Sequence, residues 1–275
     1  MKKVRITIPY FIKQSLQSDL DHFKISLSKL GNSLFKYYST VDIEKNNFLG
    51  KDTEVVQFNL NSSNEDMYFR VLQEQQMETE AEYFRSVFLE YLSNPRYKRE
   101  EIIFSDHFKN IEEAIKFNKK LNIKYKKEIR TVSPYFIKEG DRESSSYLFC
   151  YCEHNDDYRN YRICNLNKIF TSKLEIEKKD VEYIKKVKKN FDPFNSFGKE
   201  VKVIFSEEGE KLYKILTHNR PRLIKTDNSF LTFECSIDLG KAYFSQFLSE
   251  VKVVEPLELK NWFVNEFIKG NRMYK

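Results

Sequence analysis

The chain has 275 residues, of which 40% are hydrophobic and 32% charged, and its formal net charge is +6. This composition predicts a globular protein of two or three domains, because no apolar run approaches the ~18 residues that a membrane span needs. Arg5, Thr7 and Pro9 interrupt the N-terminal segment, which therefore lacks the apolar core of a secretory signal. The four cysteines have no regular spacing, as expected in a reducing compartment, so we expect a cytoplasmic protein.

The charge is unevenly distributed along the chain. Residues 1–50 carry a net charge of +4, residues 51–105 a net charge of −5, and residues 106–198 a net charge of +5. A polyanion would be attracted to the first and third of these segments and repelled by the second.

One pattern occurs twice within the first hundred residues. Residues 3–9 (KVRITIP) and 54–60 (EVVQFNL) alternate polar and apolar side chains, and each segment is followed by two helical patterns. One copy is too small to bury a core, so we predict that the two copies share one. The side chains predicted to face inward are Val4, Ile6, Ile8, Val56, Phe58 and Leu60; those predicted to face outward are Lys3, Arg5, Thr7, Val55, Gln57 and Asn59.

The segments KVRITIP with ISLSKLGNSLF, and VVQFNL with TEAEYFRSVFLEYL, resemble the ribbon-helix-helix family. Its members normally dimerise, so two copies in one chain resemble a built-in pseudodimer. The resemblance implies that the ribbon enters the major groove of DNA, that outward strand residues contact base edges, and that each second helix holds a phosphate at its N-terminus. The implied contacts are Lys3, Arg5, Thr7, Gln57 and Asn59 on the ribbon, with phosphates at Ser26 and Thr79.

These side chains suit base recognition, because Arg can bind guanine and Gln or Asn can bind adenine with two hydrogen bonds. The alternative is that the pseudodimer is only a scaffold or a dimerisation element. Glu78, Glu80 and Glu82 surround the second predicted cap and would repel a phosphate there.

The middle of the chain predicts a linking amphipathic helix and then a small β-barrel. The helix covers residues 106–121, and short β-type runs follow at 123–127, 131–138, 145–154 and 158–166. Three stretches resemble a WYL domain, a bacterial ligand-sensing module with an Sm-like or SH3-like barrel. They are IKYKK with Pro134 and Tyr135, SYL with Ser146 in the place of the family's Trp, and YRNYRICNL, whose last pair departs from the family pattern.

The WYL resemblance implies a site for a negatively charged ligand, often a nucleic acid or nucleotide. The implied contacts are Tyr147, Arg159 and Arg162, with Tyr135, Tyr161 and Lys168 as neighbours. Strand alternation places Arg159 and Tyr161 on one face of the strand and Arg162 on the other. A single site could include all three only if a bulge or a sheet edge intervened. Ordinary sheet packing is the alternative interpretation.

Two further patterns of this region have simpler interpretations. Cys150, Cys152 and Cys164 lie near His154, but a second ligand pair at zinc spacing is missing, so we predict buried thiols, no metal and no cofactor. The lysine-rich stretch 178–190 is typical of a solvated helix face, with contact to a phosphate backbone as the alternative.

After a boundary at residues 191–198, the elements follow the order β-α-β-β-α-β, which predicts a ferredoxin-like domain. The predicted strands are 200–205, 222–226, 229–237 and 250–256, and the predicted helices are 207–217, one beginning near Leu239, and 257–269. The ending VKVVEPLELKNWF resembles the C-terminal extension that follows many WYL domains. That resemblance implies dimerisation and a cover over the ligand site, so we expect a homodimer through this domain.

The sequence as a whole predicts an α+β protein with four parts. These are a tandem ribbon-helix-helix domain (1–98), a linking helix (99–122), a WYL domain (123–190) and a C-terminal extension domain (191–275).

The expected function is nucleic-acid-binding regulation, with single-stranded RNA or duplex DNA as the partner. The combination resembles the WYL accessory proteins of type VI-D CRISPR systems, which bind RNA and modulate an RNA-targeting effector. The alternatives are a transcription regulator that binds operator DNA and senses an effector through its WYL domain, and a protein-interaction module that inhibits a defence nuclease. We expect no enzyme, because the sequence has no P-loop, no paired metal-ligand motif and no nucleophile with an evident base.

Overall fold

The structure is a computed structural model that describes residues 2–46, 48–140, 145–176, 180–227 and 230–275. Over these ranges the protein is mixed α+β, with three β-sheets and ten α-helices. The described residues divide into two compact units: the first lies within Met1–Glu139 and Ser144–Glu177, and the second holds Gly140 and residues 180–275. The predicted α+β class is therefore confirmed, whereas the ribbon-helix-helix and ferredoxin-like names stay predictions.

The first unit begins with the predicted strand–helix–helix order, present twice. The elements are β1 (Lys3–Pro9), α1 (Tyr10–Phe23), α2 (Leu27–Tyr38), β2 (Thr53–Asn59), α3 (Ser62–Glu74) and α4 (Glu80–Ser93). Strands β1 and β2 pair antiparallel, with Arg5 opposite Gln57. They form a two-stranded sheet of their own, which we call the ribbon.

The two copies share one hydrophobic core, as the sequence predicted. All six inward side chains of the ribbon are buried in one cluster with residues of the four helices. Helix α2 lies close to the ribbon at Gly31, where an added Cβ atom would overlap the ring of Phe58. Burial of the ribbon's inner face leaves its outer face to solvent, because successive strand residues point to opposite sides.

The segment that joins the ribbon to the next sheet differs from the prediction. It contains two helices, α5 (Arg96–Ile103) and α6 (Ser105–Lys116), and the predicted helix over 106–121 ends at Lys116. Leu121, the last residue of that predicted helix, is buried in a strand instead. Pro95 is the N-cap of α5. Proline is tolerated at the start of a helix, because the backbone N–H that it lacks would have no partner within the helix there.

A five-stranded sheet occupies the place of the predicted small barrel. Its strands are β3 (Lys119–Tyr125), β4 (Glu128–Gly140), β5 (Ser145–Cys152), β6 (Asp157–Arg162) and β7 (Leu166–Glu175), in the spatial order β6-β5-β4-β3-β7. The strand predicted over 158–166 ends at Arg162, because a 3-10 turn (Ile163–Asn165) redirects the chain into β7. Strand β7 was not predicted, and it pairs with β3 at the far edge of the sheet from β6.

The second unit has the predicted β-α-β-β-α-β order after a leading helix, α7 (Val181–Lys189). The elements are β8 (Glu200–Phe205), α8 (Glu207–Ile215), β9 (Arg222–Thr226), β10 (Leu231–Glu234), α9 (Ile237–Phe244), β11 (Val251–Glu255) and α10 (Leu257–Met273). The four strands form one antiparallel sheet in the order β11-β8-β10-β9. The strand predicted over 229–237 is shorter, because Ser236 caps α9 by accepting a hydrogen bond from the Leu239 amide.

Parts of two predictions lie outside the described residues: residues 178 and 179 of the lysine-rich stretch, and residue 229 of that strand. The helices that the structure does describe include none with the length and apolar character needed to cross a membrane.

Candidate nucleic-acid interface

The outer face of the ribbon brings together the five residues predicted to contact bases. In the antiparallel register Lys3 lies opposite Asn59, Arg5 opposite Gln57, and Thr7 opposite Val55. Thr7 is half-buried, and the other four predicted residues are exposed. Neither Lys3 nor Arg5 has an ion-pair partner within the described ranges. Two cations and two amides therefore lie on one small solvent-facing surface with their donors available.

The two predicted phosphate sites differ in their surroundings. Ser26 caps α2 by accepting a hydrogen bond from the Lys29 amide at 3.2 Å, and the first turn of α2 has no acidic residue. Thr79 caps α4 through the Glu82 amide at 3.1 Å, but Glu80 and Glu82 occupy that first turn. Carboxylates at a helix N-terminus take the favourable position that an anion would otherwise occupy. The geometry thus favours phosphate at Ser26 and disfavours it at Thr79.

Glu80 has a structural role that explains its position. Its carboxylate accepts hydrogen bonds from the Arg5 amide at 3.2 Å and from the Tyr68 hydroxyl at 2.6 Å, and it pairs with Lys2 at 3.1 Å. Burial, followed by the bond to Glu80, raises the pKa of the Tyr68 hydroxyl. Glu80 therefore joins α4 to the ribbon and to α3. Its negative charge is compensated by the ion pair with Lys2.

The register of the five-stranded sheet separates the residues predicted for the WYL site. Tyr147 lies opposite Arg162, whereas Tyr161 lies opposite Leu148 and Arg159 opposite Cys150. Because directly opposite residues share a face, Tyr147 and Arg162 lie on one side of the sheet, and Arg159 and Tyr161 on the other. The strand alternation expected from the sequence is therefore present in the structure. It separates Arg162 and Tyr147 from Arg159 and Tyr161, so these four residues do not form one continuous site.

Arg162 is held at a junction between the sheet and the first repeat. Its Nη2 atom donates to the Oγ atom of Ser145 and lies 2.8 Å from Nε2 of His22, a residue of α1. A guanidinium can only donate, so Nε2 of His22 must accept and its proton must be on Nδ1. One side of the Arg162 guanidinium is thus engaged in internal contacts.

A buried carboxylate, that of Glu100, lies within electrostatic reach of Arg162. Glu100 of α5 is 0% exposed and accepts hydrogen bonds from the Ser146 amide at 2.6 Å and the Cys164 amide at 3.1 Å. Burial raises the pKa of Glu100, while the two amides and the positive charge of Arg162 act in the opposite direction. Glu100 therefore connects α5 to strand β5 and to the 3-10 turn between β6 and β7, and it offsets part of the charge of Arg162.

Tyr161 belongs to the core rather than to a ligand surface. It is buried, its hydroxyl accepts a hydrogen bond from Nη1 of Arg130 at 3.1 Å, and it donates to Sγ of Cys152 at 3.3 Å. Burial raises the pKa of Tyr161. Arg130 also pairs with Glu128 at 2.7 Å. Cys150 and Cys152 are buried, as predicted for structural thiols, and burial raises the pKa of Cys150.

The two remaining tyrosines predicted for the WYL site are largely covered. Tyr147 is buried, and Tyr135 is half-buried, with its ring 6.1 Å from the rings of Phe149 and Tyr158.

The two remaining basic residues predicted for the site are exposed. Arg159 pairs with Asp157 on its own strand at 3.5 Å. Lys168 is exposed on β7, where it lies opposite Lys124.

Sequence reasoning missed three residues of this interface: His22, Glu100 and Arg130. His22 contacts a residue 140 positions away, and Glu100 contacts residues 46 and 64 positions away. Only the sequence around Glu100 held a signal, because a charged residue on the core-facing side of a helix predicts a buried partner. The described residues contain no group of three or more His, Cys, Asp or Glu side chains arranged to hold a metal ion.

Residues 106–170, from α6 to the middle of β7, match the model of the WYL domain family. The chain thus carries the WYL domain that the SYL and YRNYRICNL motifs predicted. A solved structure described as "Crystal structure of a CRISPR Cas-related protein" is similar to the chain with a TM-score of 0.68 at 16% identity, over 99% of this chain and 94% of that one. At this identity the similarity shows a shared fold alone.

A second solved structure, proteasome accessory factor B/C (PafBC) of Arthrobacter aurescens, has a TM-score of 0.32 at 16% identity. That alignment covers 87% of this chain and 35% of PafBC. No curated protein matches the sequence significantly.

Proposed function

We propose that this protein is a non-catalytic regulator that binds nucleic acid through the outer face of its ribbon. The observation that carries the proposal is the exposed set of Lys3, Arg5, Gln57 and Asn59, which lie in opposite pairs. These side chains project from a two-stranded sheet, and such a sheet fits the major groove of a duplex. The tandem repeat would then act as a ribbon-helix-helix pseudodimer, with a phosphate at Ser26.

The WYL domain is the second part of the proposal, as the sensor for a nucleic-acid-like ligand. Arg162 is half-buried at the junction with α1 and retains donors beyond those used by Ser145 and His22. A ligand that took a hydrogen bond from Arg162 would also act on His22, and through it on the first repeat. This connection supports the role of an effector sensor, because a ligand must contact a group whose arrangement it can change.

A CRISPR accessory role is the particular version that we favour. It rests on the similarity of fold, over nearly the whole chain, to a protein described as CRISPR Cas-related, together with the WYL match. In this version the WYL domain binds single-stranded RNA, and the protein partner is an RNA-targeting effector. The transcription-regulator version instead uses the ribbon on operator DNA, with the WYL domain as the effector sensor.

The experiment is a fluorescence-anisotropy titration of the full chain with labelled single-stranded RNA, single-stranded DNA and duplex DNA, each at two salt concentrations. The double variant Arg5→Ala with Gln57→Ala is expected to lose about 1–3 kcal/mol of binding free energy for each good base contact that it removes. Both side chains are exposed, so the fold should be retained. The control is Lys13→Ala with Glu54→Ala, which removes a half-buried ion pair at 2.9 Å between α1 and the start of β2, away from Arg5 and Gln57.

Duplex preference that the double variant abolishes would support the operator-binding version. Preference for single-stranded RNA would support the CRISPR accessory version. Absence of salt-dependent binding to all three probes would contradict the proposal and favour a protein-interaction module, because phosphate contacts always weaken as salt rises.

We also propose that the protein is a homodimer through its C-terminal domain. Helix α10 buries Leu259 and Phe263, and its apolar side continues with Val264, Phe267 and Ile268, of which Phe267 is 45% exposed. Apolar residues at this spacing along a solvent-facing stretch are typical of an interface.

Phe267→Asp with Ile268→Asp is therefore expected to convert a dimer to a monomer, because two carboxylates would have to be desolvated at the contact. Sedimentation velocity measures the mass in solution. Asn265→Asp on the same helix is the control for added charge. A wild-type monomer, or a double variant that remains a dimer, would show that this helix is not the interface.

A further inference from the structure

The outward side of β3, β4 and β7 carries an unusual arrangement of lysines. Lys124 of β3 lies directly opposite Lys168 of β7 and directly opposite Ile129 of β4. In the next row Asn122 lies between Thr131 and Phe170. We call these six residues the β3–β7 face. It is distinct from the ribbon, because β3, β4 and β7 belong to the five-stranded sheet and β1 and β2 form a separate one.

The two lysines have no compensation within the described part of the fold. Like charges directly opposite each other on a sheet are destabilising. Neither Lys124 nor Lys168 makes an ion pair with a described residue, whereas the nearby Glu128 is already paired with Arg130. The β3–β4 turn adds Lys126 and Lys127, both exposed. This concentration of positive charge costs stability in the free protein, and a polyanion would offset the cost.

The apolar residues of the same face are also left to solvent. Ile129 is 71% exposed and Phe170 is 57% exposed. Phe170 makes no contact with another described aromatic ring. An exposed aromatic ring beside unpaired lysines is the combination with which sheet surfaces bind single strands, because unpaired bases stack on the ring while cations contact the phosphates.

We propose that the β3–β7 face is a further binding surface for single-stranded nucleic acid. Lys124 and Lys168 contact consecutive parts of the phosphate backbone, and Phe170 stacks on an unpaired base. A duplex is a poorer ligand, since its bases are already stacked and paired. The inference rests on the proposed function only in requiring that the protein bind nucleic acid. Of the residues that carry it, only Lys168 was also named by the WYL resemblance; Lys124 and Phe170 were not.

The test measures binding of the full chain to a labelled oligouridine and to the corresponding oligothymidine over a series of salt concentrations. Phe170→Ala is expected to weaken binding of the single strand about 5- to 150-fold, the range for one lost stacking contact. Lys124→Ala with Lys168→Ala is expected to lower the slope of log K against log salt by about 1.4, because each phosphate contact to a single strand contributes ~0.7. All three side chains are exposed, so the variants should fold.

The matched control is Lys211→Ala with Lys269→Ala, which removes two exposed lysines of the second unit, each paired with a glutamate three residues away. The control is expected to leave the slope within the error of the wild type. Crosslinking with an oligonucleotide that contains 4-thiouridine adds a direct readout, because the tryptic peptide 169–173 contains Phe170. Binding of both oligouridine and oligothymidine would support the β3–β7 face as a surface for any single strand. A preference for one of them would identify the ligand as RNA or as DNA.

Two results would overturn the inference, and they are distinguishable. If the wild type binds single strands but the Phe170 and lysine variants bind within twofold of it, the β3–β7 face is not the surface, and the proposed function stands. If the wild type binds no nucleic acid of any kind, both the inference and the proposed function fail. A loss of duplex binding in the Phe170 variant would also contradict the assignment to single strands.

Discussion

Asp19→Ala is expected to lower the free energy of unfolding of the first unit by about 3–5 kcal/mol, the usual cost of removing one partner of a buried ion pair. Asp19 is 0% exposed, and its carboxylate accepts hydrogen bonds from Arg99 at 2.6 Å, from the Tyr91 hydroxyl at 2.7 Å and from Arg96 at 3.3 Å. These contacts join α1 to α4 and α5. The variant leaves two guanidinium groups and one hydroxyl without their acceptor.

Urea unfolding followed by circular dichroism measures this change. The control is Asp21→Ala on the same helix, where the carboxylate is exposed and accepts only from Gln17 at 2.9 Å among the bonds observed. We expect the control to change the free energy of unfolding by less than about 0.5 kcal/mol. Equal stabilities of the two variants would mean that the Asp19 cluster does not hold the three helices together.

Glu100→Ala is expected to lower the free energy of unfolding and to release the WYL sheet from α5, because the buried amides of Ser146 and Cys164 would lose their acceptor. Each unsatisfied buried donor costs about 1–3 kcal/mol. Hydrogen exchange resolves this effect by segment, because protection should fall around residues 145–147 and 163–165. Trp262, the single tryptophan, lies in the second unit, so its fluorescence should keep its wild-type transition.

Glu100→Gln provides a pH test of the same carboxyl group. Burial raises the folded-state pKa of Glu100 above the ordinary 4.5. The folded protein therefore holds this proton more tightly than the unfolded chain, and the contribution of Glu100 to stability falls as pH rises from about 4.5 through the raised pKa. Glutamine does not titrate, so the wild type should lose stability relative to Glu100→Gln over this interval. If the free energy of unfolding of the wild type minus that of Glu100→Gln stayed constant or increased as pH rose, the raised pKa would be contradicted.

The ribbon could be predicted from the sequence because its signal is local. Alternation within seven residues determines which side chains of β1 and β2 face outward, and repetition indicated that the two strands share a core. The exposed positions of Lys3, Arg5, Gln57 and Asn59 follow directly from that period. The start of α5 was missed because Pro95 can follow one helix or begin another, and no local rule separates the two cases.

The junction around Arg162 could not be predicted in the same way. Its contacts with His22 and Ser145, and the contacts of Glu100 with the sheet, join residues that are far apart in the chain. The WYL resemblance named Arg162 as a residue of interest but not its partners. The β3–β7 face was hidden for a related reason, because Lys168 became informative only when β7 was seen to pair with β3.

The two unlike strands of the ribbon bear on the symmetry of the target that the proposed function requires. A dimer of identical strands presents the same side chains twice and therefore matches a palindrome. Here one strand presents Lys3, Arg5 and Thr7, and the other presents Val55, Gln57 and Asn59, while only one of the two helix caps is free of acidic neighbours. The two strands thus carry different side chains, so under the proposed function a target of this ribbon would have two unlike halves and a defined direction.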